Sequence, residues 1–459
     1  MKSKITTLLL LSGIGVLFLE AAHASDKPNL VFVMIDDLGA EQVGCYGGET
    51  YKTPHIDRLA TRGMLFNNAF AQPMCQISRA TLMSGQYGFR NGFPKNNNRT
   101  LSSKEGWGKG QPSLANLLQD AGYTTAISGK WHLAHFDLHP DHLTDQGFEY
   151  QNAWAHVFGG KRTRRYWEST YYREKEFVTD GPGIFGPDEF CKYVTNFMEA
   201  HKDDDQPFFV YYPMVLVHFP FPQTPDNIDD PQPGWTPEDN LRIAEQKKWS
   251  AQNYTAMVEY TDKLIGQVVS TIEELGIAEN TLLIVTGDNG SYRSTKTQYK
   301  GQTIRGGKGS VTDRGGRVPF IAYWKEKIEP GSVNENLIDF SDVLPTLVEL
   351  GGGKVPEGKR LDGLSFLGQM LRDANASARD WVFLGNMPKA MIRADKFSLD
   401  AADNLYDLRK NRYEPELVEK GSYTEIHLNY YKMLSAAMAS LDHPFTAGAG
   451  RKKPKKKRK

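Results

Sequence analysis

Two apolar runs of strand length, Asn29 to Ile35 and Thr281 to Thr286, each lead into a pair of oxygen-bearing side chains. These side chains are Asp36, Asp37, Asp288 and Asn289. Because open α/β sheets bind ligands at the carboxyl ends of their strands, we expect the two pairs to meet there. Carboxylate and amide oxygens suit a hard cation, and Ca²⁺ better than ions that prefer histidine or cysteine. The alternative is that each pair only forms a turn.

A cysteine heads the run Cys75-Gln76-Ile77-Ser78-Arg79-Ala80-Thr81-Leu82-Met83-Ser84-Gly85. The pattern predicts a short helix from Ser78 to Ser84, with Cys75 just before its amino end. The free N–H groups and the dipole of such a helix favour a bound anion. For Arg79, the alternative to a functional role in this run is a surface arginine paired with a carboxylate.

Basic side chains follow two further predicted strands. Lys130 and His132 come after the run Tyr123 to Ser128, and His218 comes shortly after the run Phe208 to Tyr212. A lone histidine is weak evidence of function, so His218 has the alternative of a hydrogen-bonded core histidine.

Four histidines lie close together in the sequence, but their spacing fits no compact zinc motif with supporting cysteines. They are His132, His135, His139 and His142. We interpret the last three as loop residues, with His135 a candidate substrate contact. Arg293 and Lys296 are candidates to bind anionic groups of a polymer, or else carry solvated charge.

The overall composition is that of a globular chain: 459 residues, 39% hydrophobic and 24% charged. The formal charge is zero, but residues 451–459 carry eight Lys or Arg and no acid, so the other 450 residues carry a net charge of −8. We interpret this tail as a disordered solubilising extension, or as a segment that holds the protein near a polyanion. We discount its likeness to a nuclear localisation signal, and expect no nucleic-acid partner.

The first 24 residues have the features of a secretory signal peptide. Lys2 and Lys4 precede an apolar stretch from Leu8 to Leu19, and Ala22-His23-Ala24 is a cleavage pattern of small residues. The stretch is short for a membrane anchor, so we expect export to the periplasm or medium and no stable membrane span. Three cysteines exclude a disulfide scaffold, and we interpret Cys45 and Cys191 as buried thiols.

Strands alternate with helical patterns up to about residue 350, among them a long amphipathic pattern from Ala244 to Leu275. This order predicts an α/β domain over residues 25–350, with a large mixed, mostly parallel sheet between helices. After Gly351-Gly352-Gly353, short runs predict a small antiparallel sheet and a helix from Glu425 to Ala439. We therefore expect a C-terminal α+β subdomain over residues 351–446 and a disordered tail over 447–459.

The run at Cys75 resembles the signature of the formylglycine-dependent sulfatases, which are arylsulfatase-like members of the alkaline phosphatase superfamily. The resemblance covers roughly residues 28 to 410 and includes other motifs in the family's order. These motifs are Asp36-Asp37, Thr53-Pro54-His55-Ile56-Asp57, Gly129-Lys130-Trp131-His132, Thr286-Gly287-Asp288-Asn289-Gly290 and Gly306-Gly307-Lys308-Gly309.

The resemblance implies a sulfatase with an alkaline-phosphatase-like core. A maturation enzyme would oxidise Cys75 to formylglycine, whose hydrate attacks sulfur with one hydroxyl and later expels sulfate with the other. One Ca²⁺ would be held by the four oxygen donors and the residue made from Cys75. The resemblance also implies that Arg79 orients the diol, Lys130 supports the charge, His132 is the base, His218 is the acid and Lys308 binds sulfate.

The chain departs from the family at Ile77, where proline or sometimes alanine is usual. The maturation machinery reads this segment, so Ile77 bears on the conversion of Cys75. Without conversion, the alternative is a non-catalytic protein that binds sulfated polyanions. A phosphonate or phosphodiester hydrolase on the same scaffold is the other alternative. The polar, aromatic-rich segment from Trp154 to Phe185, which we interpret as loops, favours sulfated carbohydrate over a small aryl sulfate.

Overall fold

The computed structural model describes residues 27–97, 101, 106–229, 236–241 and 250–444. The predicted signal peptide, residues 1–24, and the predicted basic tail, residues 447–459, lie outside the described residues. So do residues 244–249 of the predicted long helix.

Nineteen strands are present in the described residues. They are β1 Asn29–Ile35, β2 Met64–Phe70, β3 Thr124–Gly129, β4 Tyr150–Trp154, β5 Val157–Phe158, β6 Lys161–Arg162, β7 Thr170–Arg173, β8 Glu176–Thr179, β9 Phe208–Pro213, β10 Thr281–Gly287, β11 Lys296–Tyr299, β12 Gln302–Arg305, β13 Phe320–Tyr323, β14 Ser332–Asp339, β15 Val382–Asn386, β16 Lys389–Arg393, β17 Phe397–Asp400, β18 Leu405–Asp407 and β19 Glu416–Val418.

Ten of these strands form one sheet in the order β14-β2-β13-β10-β1-β9-β3-β4-β7-β8. The strands around β1 are parallel, since β1 pairs with β10 and β9, and β3 pairs with β9 and β4. Antiparallel strands β13, β7 and β8 lie nearer the edges. The predicted mixed, mostly parallel sheet is therefore confirmed.

Helices cover both faces of this sheet. The α-helices of the described residues are α1 Pro54–Arg62, α2 Cys75–Ser84, α3 Gly88–Asn91, α4 Leu114–Asp120, α5 His142–Asp145, α6 Gly186–His201, α7 Pro237–Leu241, α8 Ala251–Glu274, α9 Asp313–Gly316, α10 Val343–Leu350, α11 Leu367–Met370 and α12 Glu425–Ser440, of which α12 packs on a second sheet. Alternate residues of β1 pack into two different cores, as Phe32 and Val33 do. Burial on both faces explains why β1 is apolar at every position.

A second, five-stranded antiparallel sheet follows in the order β15-β16-β17-β18-β19. Leu434 and Ala437 of α12 pack in one cluster with Phe397 of this sheet. The predicted small antiparallel sheet is confirmed, and its fifth strand, Glu416–Val418, is an addition to the prediction. The domain boundaries at residues 350 and 446 stay predictions.

Two predictions of the bounds and type of local elements are wrong. Helix α2 begins at Cys75 and not at Ser78, because the Ser78 hydroxyl donates to the carbonyl of Gln72 at 2.9 Å instead of capping the helix. The segment from Trp154 to Phe185 is not only loops, because it contains strands β5 to β8, and β7 and β8 extend the main sheet.

The remaining two cysteines carry free thiols, with Cys191 buried and Cys45 half-buried. Of the three histidines predicted to lie in loops, His142 instead begins helix α5 and is buried. Among the described residues, no helix combines the length and apolar character needed to cross a bilayer.

Candidate active site

The carboxyl ends of β1 and β10 bring the two predicted oxygen-bearing pairs together. The backbone N–H of Asp288 donates to the carbonyl of Ile35 at 2.8 Å, and that of Asp37 donates to Oδ1 of Asp288 at 3.0 Å. The amide of Asn289 donates to Oδ1 of Asp37 at 2.8 Å. Asp37 has φ +66°, a left-handed conformation that is costly for a non-glycine residue and is typical of functional sites.

Cys75 lies against these carboxylates at the start of helix α2. Its Sγ is 3.4 Å from Oδ1 of Asp36, 3.8 Å from Oδ1 of Asp37 and 3.3 Å from Nζ of Lys308. Burial is the main cause that raises the pKa of the Cys75 thiol to about 12, and the charge of Asp288 is the next. The thiol is therefore protonated at neutral pH, which makes the unmodified cysteine a poor nucleophile here.

Each carboxylate of the site faces a buried or half-buried cation. Lys130 Nζ lies 2.6 Å from Asp36 Oδ2, Lys308 Nζ lies 2.7 Å from Asp37 Oδ2, and Arg79 lies 2.8 Å from Asp288 Oδ2. Arg79 also donates to the carbonyl of Lys130.

The pKa values of two of these carboxylates are shifted in opposite directions. Burial favours the neutral form of Asp36, but the ammonium of Lys130 and further cations outweigh it, and the pKa of Asp36 lies well below its usual range. Burial, followed by the charge of Asp36, raises the pKa of Asp288 to about 6. A bound cation would favour the ionised form of both groups.

The carboxylate and amide oxygens of the site suit a hard cation, and a thiol and an imidazole lie beside them. Ligand atoms of four side chains lie within 4.8 Å of one another: Asp36, Asp37, Cys75 and His218. Asn289 Oδ1 is buried and has no hydrogen-bond partner among the described residues, so it can accept a metal ion without losing a contact. Asp288 is one step removed from this group, because its oxygens contact Arg79 and the Asp37 amide.

The two predicted proton-transfer histidines are half-buried and lie near this group. His218 Nε2 lies 3.8 Å from Asp37 Oδ2, and the hydroxyl of Tyr166 donates to the His218 carbonyl. Burial, followed by the charges of Arg165 and Lys308, lowers the pKa of His218 well below its usual range.

His132 lies on the other side of Cys75, with Nε2 at 3.4 Å from the amide of Gln76. Burial, followed by the charge of Lys130, lowers the pKa of His132 well below its usual range. Its Nδ1 is buried with no partner in the described part of the chain, and its φ of +63° is left-handed. A neutral imidazole in this position can accept a proton.

A cleft of about 290 Å³ opens beside both histidines. Its lining includes Trp154, His156, Trp167 and Arg165. The guanidinium of Arg165 stacks on Trp154 at 4.4 Å, and its NH1 lies 3.9 Å from Asp36 Oδ2.

The sequence predictions for this cleft were incomplete. They missed Arg165, Gln76 and His156, whose ring lies 5.2 Å from that of His132. The only signal for Arg165 and His156 was their place in the polar, aromatic-rich segment.

The three predicted substrate contacts lie further out. The ring of His135 lies 5.7 Å from that of His156, and His135 is not among the described residues lining the cleft. Arg293 is exposed and donates to the carbonyl of Lys308 at 2.7 Å. Lys296 is exposed on β11, opposite Arg305 of β12. The structure thus brings Arg293 next to a site residue.

Known proteins share this arrangement of sequence and fold. N-acetylgalactosamine-6-sulfatase of Rattus norvegicus is 30% identical over 382 residues, which cover 79% of this chain and 70% of that protein. An ulvan-active sulfatase of Formosa agariphila is 27% identical over 433 residues, covering 93% of this chain and 74% of that protein.

Solved structures share the fold. A protein in complex with its substrate D-glucosamine-2-N,6-O-disulfate superposes with a TM-score of 0.72 at 20% identity, covering 91% of this chain and 98% of that chain. A sulfatase from Pseudoalteromonas sp. superposes with a TM-score of 0.67 at 22% identity, covering 93% of each chain.

The family model named Sulfatase matches residues 28–353. This range includes every strand of the ten-stranded sheet and all the residues around Cys75 described above. The chain belongs to the sulfatase family, and is a hydrolase of sulfuric esters.

Proposed function

We propose that this sulfatase hydrolyses a sulfate ester of a sulfated carbohydrate, with a formylglycine made from Cys75 and one bound Ca²⁺. The observation that carries the proposal is the setting of Cys75. Its sulfur contacts two carboxylates and the ammonium of Lys308, yet burial keeps it a neutral thiol. These surroundings suit an oxygen nucleophile beside a cation and a bound anion better than they suit a thiolate.

The metal would be held by the oxygens of Asp36, Asp37, Asp288 and Asn289, together with the residue made from Cys75. When bound, Ca²⁺ supplies a Lewis acid for the sulfuryl group, and formylglycine supplies paired hydroxyls for attack and release. The unpartnered Asn289 Oδ1 supports this assignment. Metal binding requires Lys308 to move from Asp37, which frees its ammonium to face the sulfate oxygens.

Proton transfer is assigned to the two histidines. His132 is neutral in the free protein, as a base must be. His218 lies at the mouth of the cleft and would give a proton to the departing alcohol. Its pKa is lowered in the free protein, and the negative charge of a bound sulfate ester opposes that shift.

Lys130 and Arg79 pair with two of the carboxylates. The Lys130 ammonium pairs with Asp36 and the Arg79 guanidinium pairs with Asp288, and all four side chains are fully buried. We assign to these cations the orientation of the site, because an unpaired buried carboxylate would be strongly destabilising.

The carbohydrate substrate rests on the relatives and on the cleft. One relative is named as an N-acetylgalactosamine-6-sulfatase and another as an ulvan-active sulfatase, and both names refer to sulfated carbohydrates. The cleft beside His132 and His218 offers the indoles of Trp154 and Trp167 next to Arg165, an apolar and cationic lining that suits an anionic sugar ring. His135 is retained as a proposed outer contact.

Export and maturation complete the proposal. The sequence features of residues 1–24 support passage through a membrane and a periplasmic or extracellular site of action. A formylglycine-generating enzyme of the host is then a required partner. Cleavage after Ala24 is tested by the N-terminal sequence of the protein recovered from the host's medium or periplasm.

The experiment measures sulfate released from oligosaccharides of ulvan, ι-carrageenan, chondroitin 6-sulfate and heparan sulfate by ion chromatography. We expect release from at least one of these, and none from the matched Cys75→Ala variant. Paired 4-nitrophenyl sulfate and 4-nitrophenyl phenylphosphonate separate sulfatase from phosphonate hydrolase activity. Faster turnover of the phosphonate, or retention of these polymers with no turnover at all, would overturn the proposal.

A further inference from the structure

A second groove, of about 410 Å³, opens beside Lys308. Its lining contains five basic side chains and, among the described residues, no acidic one. The basic side chains are Arg293, Arg305, Lys308, Arg314 and Lys389. They come from separate parts of the chain, since Arg305 ends β12 and Lys389 begins β16 of the C-terminal sheet. We refer to this feature as the basic groove.

Four of the five charges of the basic groove are not compensated by a carboxylate of the described residues. Apart from Lys308, none of its basic side chains forms an ion pair with a carboxylate of the described residues. Arg393 and Arg412, by contrast, both pair with Asp313, at 3.1 and 2.8 Å. Arg314 is half-buried, and its Nε has no hydrogen-bond partner in the described part of the chain. A cleft lined by one sign of charge concentrates ions of the opposite sign.

The basic groove is fixed relative to Cys75. The N–H of Gly309 donates to the carbonyl of Pro73 at 2.8 Å, two residues before the cysteine, and its carbonyl accepts from Asn386 at 3.0 Å. Gly309 has φ +85°, which favours glycine, and a Cβ there would lie 3.3 Å from the sulfur of Met74, the residue before Cys75. Glycine therefore allows the close approach of the groove wall to the segment that carries the cysteine.

Lys308 connects the groove to the reacting centre. It lines the basic groove, and its Nζ is 3.3 Å from the sulfur of Cys75. A sugar chain with its scissile sulfate at Cys75 can thus continue past Lys308 into the groove. Four further cations without a carboxylate partner converge beside Lys308. This convergence favours an anion-binding groove over a patch of separately solvated charges.

We infer that the basic groove binds an anionic substituent, sulfate or carboxylate, of the sugar residue that neighbours the one being desulfated. This inference rests on the proposed carbohydrate substrate and narrows it to polyanionic oligosaccharides. Arg305, Arg314 and Lys389 then act as specificity-determining residues together with Arg293. Lys296, the other predicted contact, is not among the described residues that line the groove.

The test compares two substrates from whichever of the four polymers named above releases sulfate fastest. They are the sulfated monosaccharide and the tetrasaccharide that carries it. The measured quantity is the ratio of kcat/KM for tetrasaccharide to that for monosaccharide. In Arg305→Gln and Lys389→Gln we expect this ratio to fall about tenfold, as for loss of one charge-assisted contact. Lys192→Gln, which removes an exposed charge on α6, is the matched control.

The outcomes separate this inference from the function on which it rests. A ratio that stays within twofold of wild type in both variants overturns the inference, as does an equal fall for the two substrates. Sulfate release from none of the four polymers overturns the carbohydrate substrate instead. Carboxyl-reduced tetrasaccharide identifies the recognised group: a ratio that falls with reduction assigns a carboxylate, and an unchanged ratio assigns a sulfate.

Discussion

The ammonium of Lys308 bridges Asp37 and Cys75, with Nζ at 2.7 Å from the carboxylate oxygen and 3.3 Å from the sulfur. Burial disfavours its charge, but Asp37 and Cys75 outweigh burial and raise the pKa of Lys308. The side chain is therefore a permanent cation beside the proposed nucleophile, on the boundary between the site and the basic groove.

Replacing Lys308 should remove transition-state stabilisation. In Lys308→Ala we expect kcat/KM to fall by roughly 10²–10³, the usual loss for one preorganised electrostatic partner. Lys308→Arg, which keeps the charge but not the compact ammonium, should lose less. Initial rates of sulfate release measure both. An alanine variant within threefold of wild type would show that Lys308 does not contact the reacting group.

Metal binding should be visible in stability as well as in activity. Ca²⁺ added to chelator-treated protein should raise Tm, because it binds the folded site and not the unfolded chain; at 100 times Kd the gain is about 2.7 kcal/mol. In Asp288→Asn the Tm shift should shrink, and in the control Asp203→Asn, at an exposed carboxylate, it should not. A Tm that is insensitive to Ca²⁺ in the wild-type protein would argue against the metal site.

The assignment of His218 as acid predicts a dependence on the leaving group. In His218→Gln, release of a sugar alcohol should slow by roughly 10²–10⁴, whereas 4-nitrophenol, which needs no protonation to leave, should be much less affected. His132→Gln is the matched control, since loss of a base should slow both substrates alike. Equal losses for the two substrates in His218→Gln would contradict the role of His218.

Acid pH should weaken the fold through buried histidines, and His142 can be tested away from the site. Burial, followed by the charge of His139, lowers the pKa of His142 to about 3. Because the unfolded pKa is about 6.5, the stabilisation is fully present above that pH. It is lost as pH falls from 6.5 towards 3, by up to about 1.4 kcal/mol per pH unit.

Urea unfolding at pH 7 and pH 5 measures this effect. His142→Gln should lose less free energy of unfolding between the two pH values than the wild-type protein does. Identical losses would show that His142 is not neutral in the folded state.

The parts of the fold predicted well are those in which burial decides the sequence pattern. β1 was predicted at the same bounds as observed, Asn29–Ile35, because a central parallel strand is apolar on both faces. β10 was predicted within one residue for the same reason. Their shared edge then brought Asp37 and Asp288 together as expected.

The parts predicted poorly depend on contacts between distant segments. The start of α2 was missed because its N-cap, Met74, has no side chain that signals a helix start. Arg165 reaches Asp36, and Lys389 reaches the basic groove, only through the packing of separate elements. No local periodicity marks such residues, so Arg165 and Lys389 could be assigned to the site only from the structure.

The central claim is that Cys75 is converted to formylglycine despite Ile77. Ile77 is the third residue of α2 and is buried, so the folded protein tolerates it, and maturation is the step that it could affect. The most direct measurement is the mass of the tryptic peptide Gly63 to Arg79 in protein from the native host. We expect the mass of formylglycine at position 75. An unmodified thiol in that protein would contradict the claim.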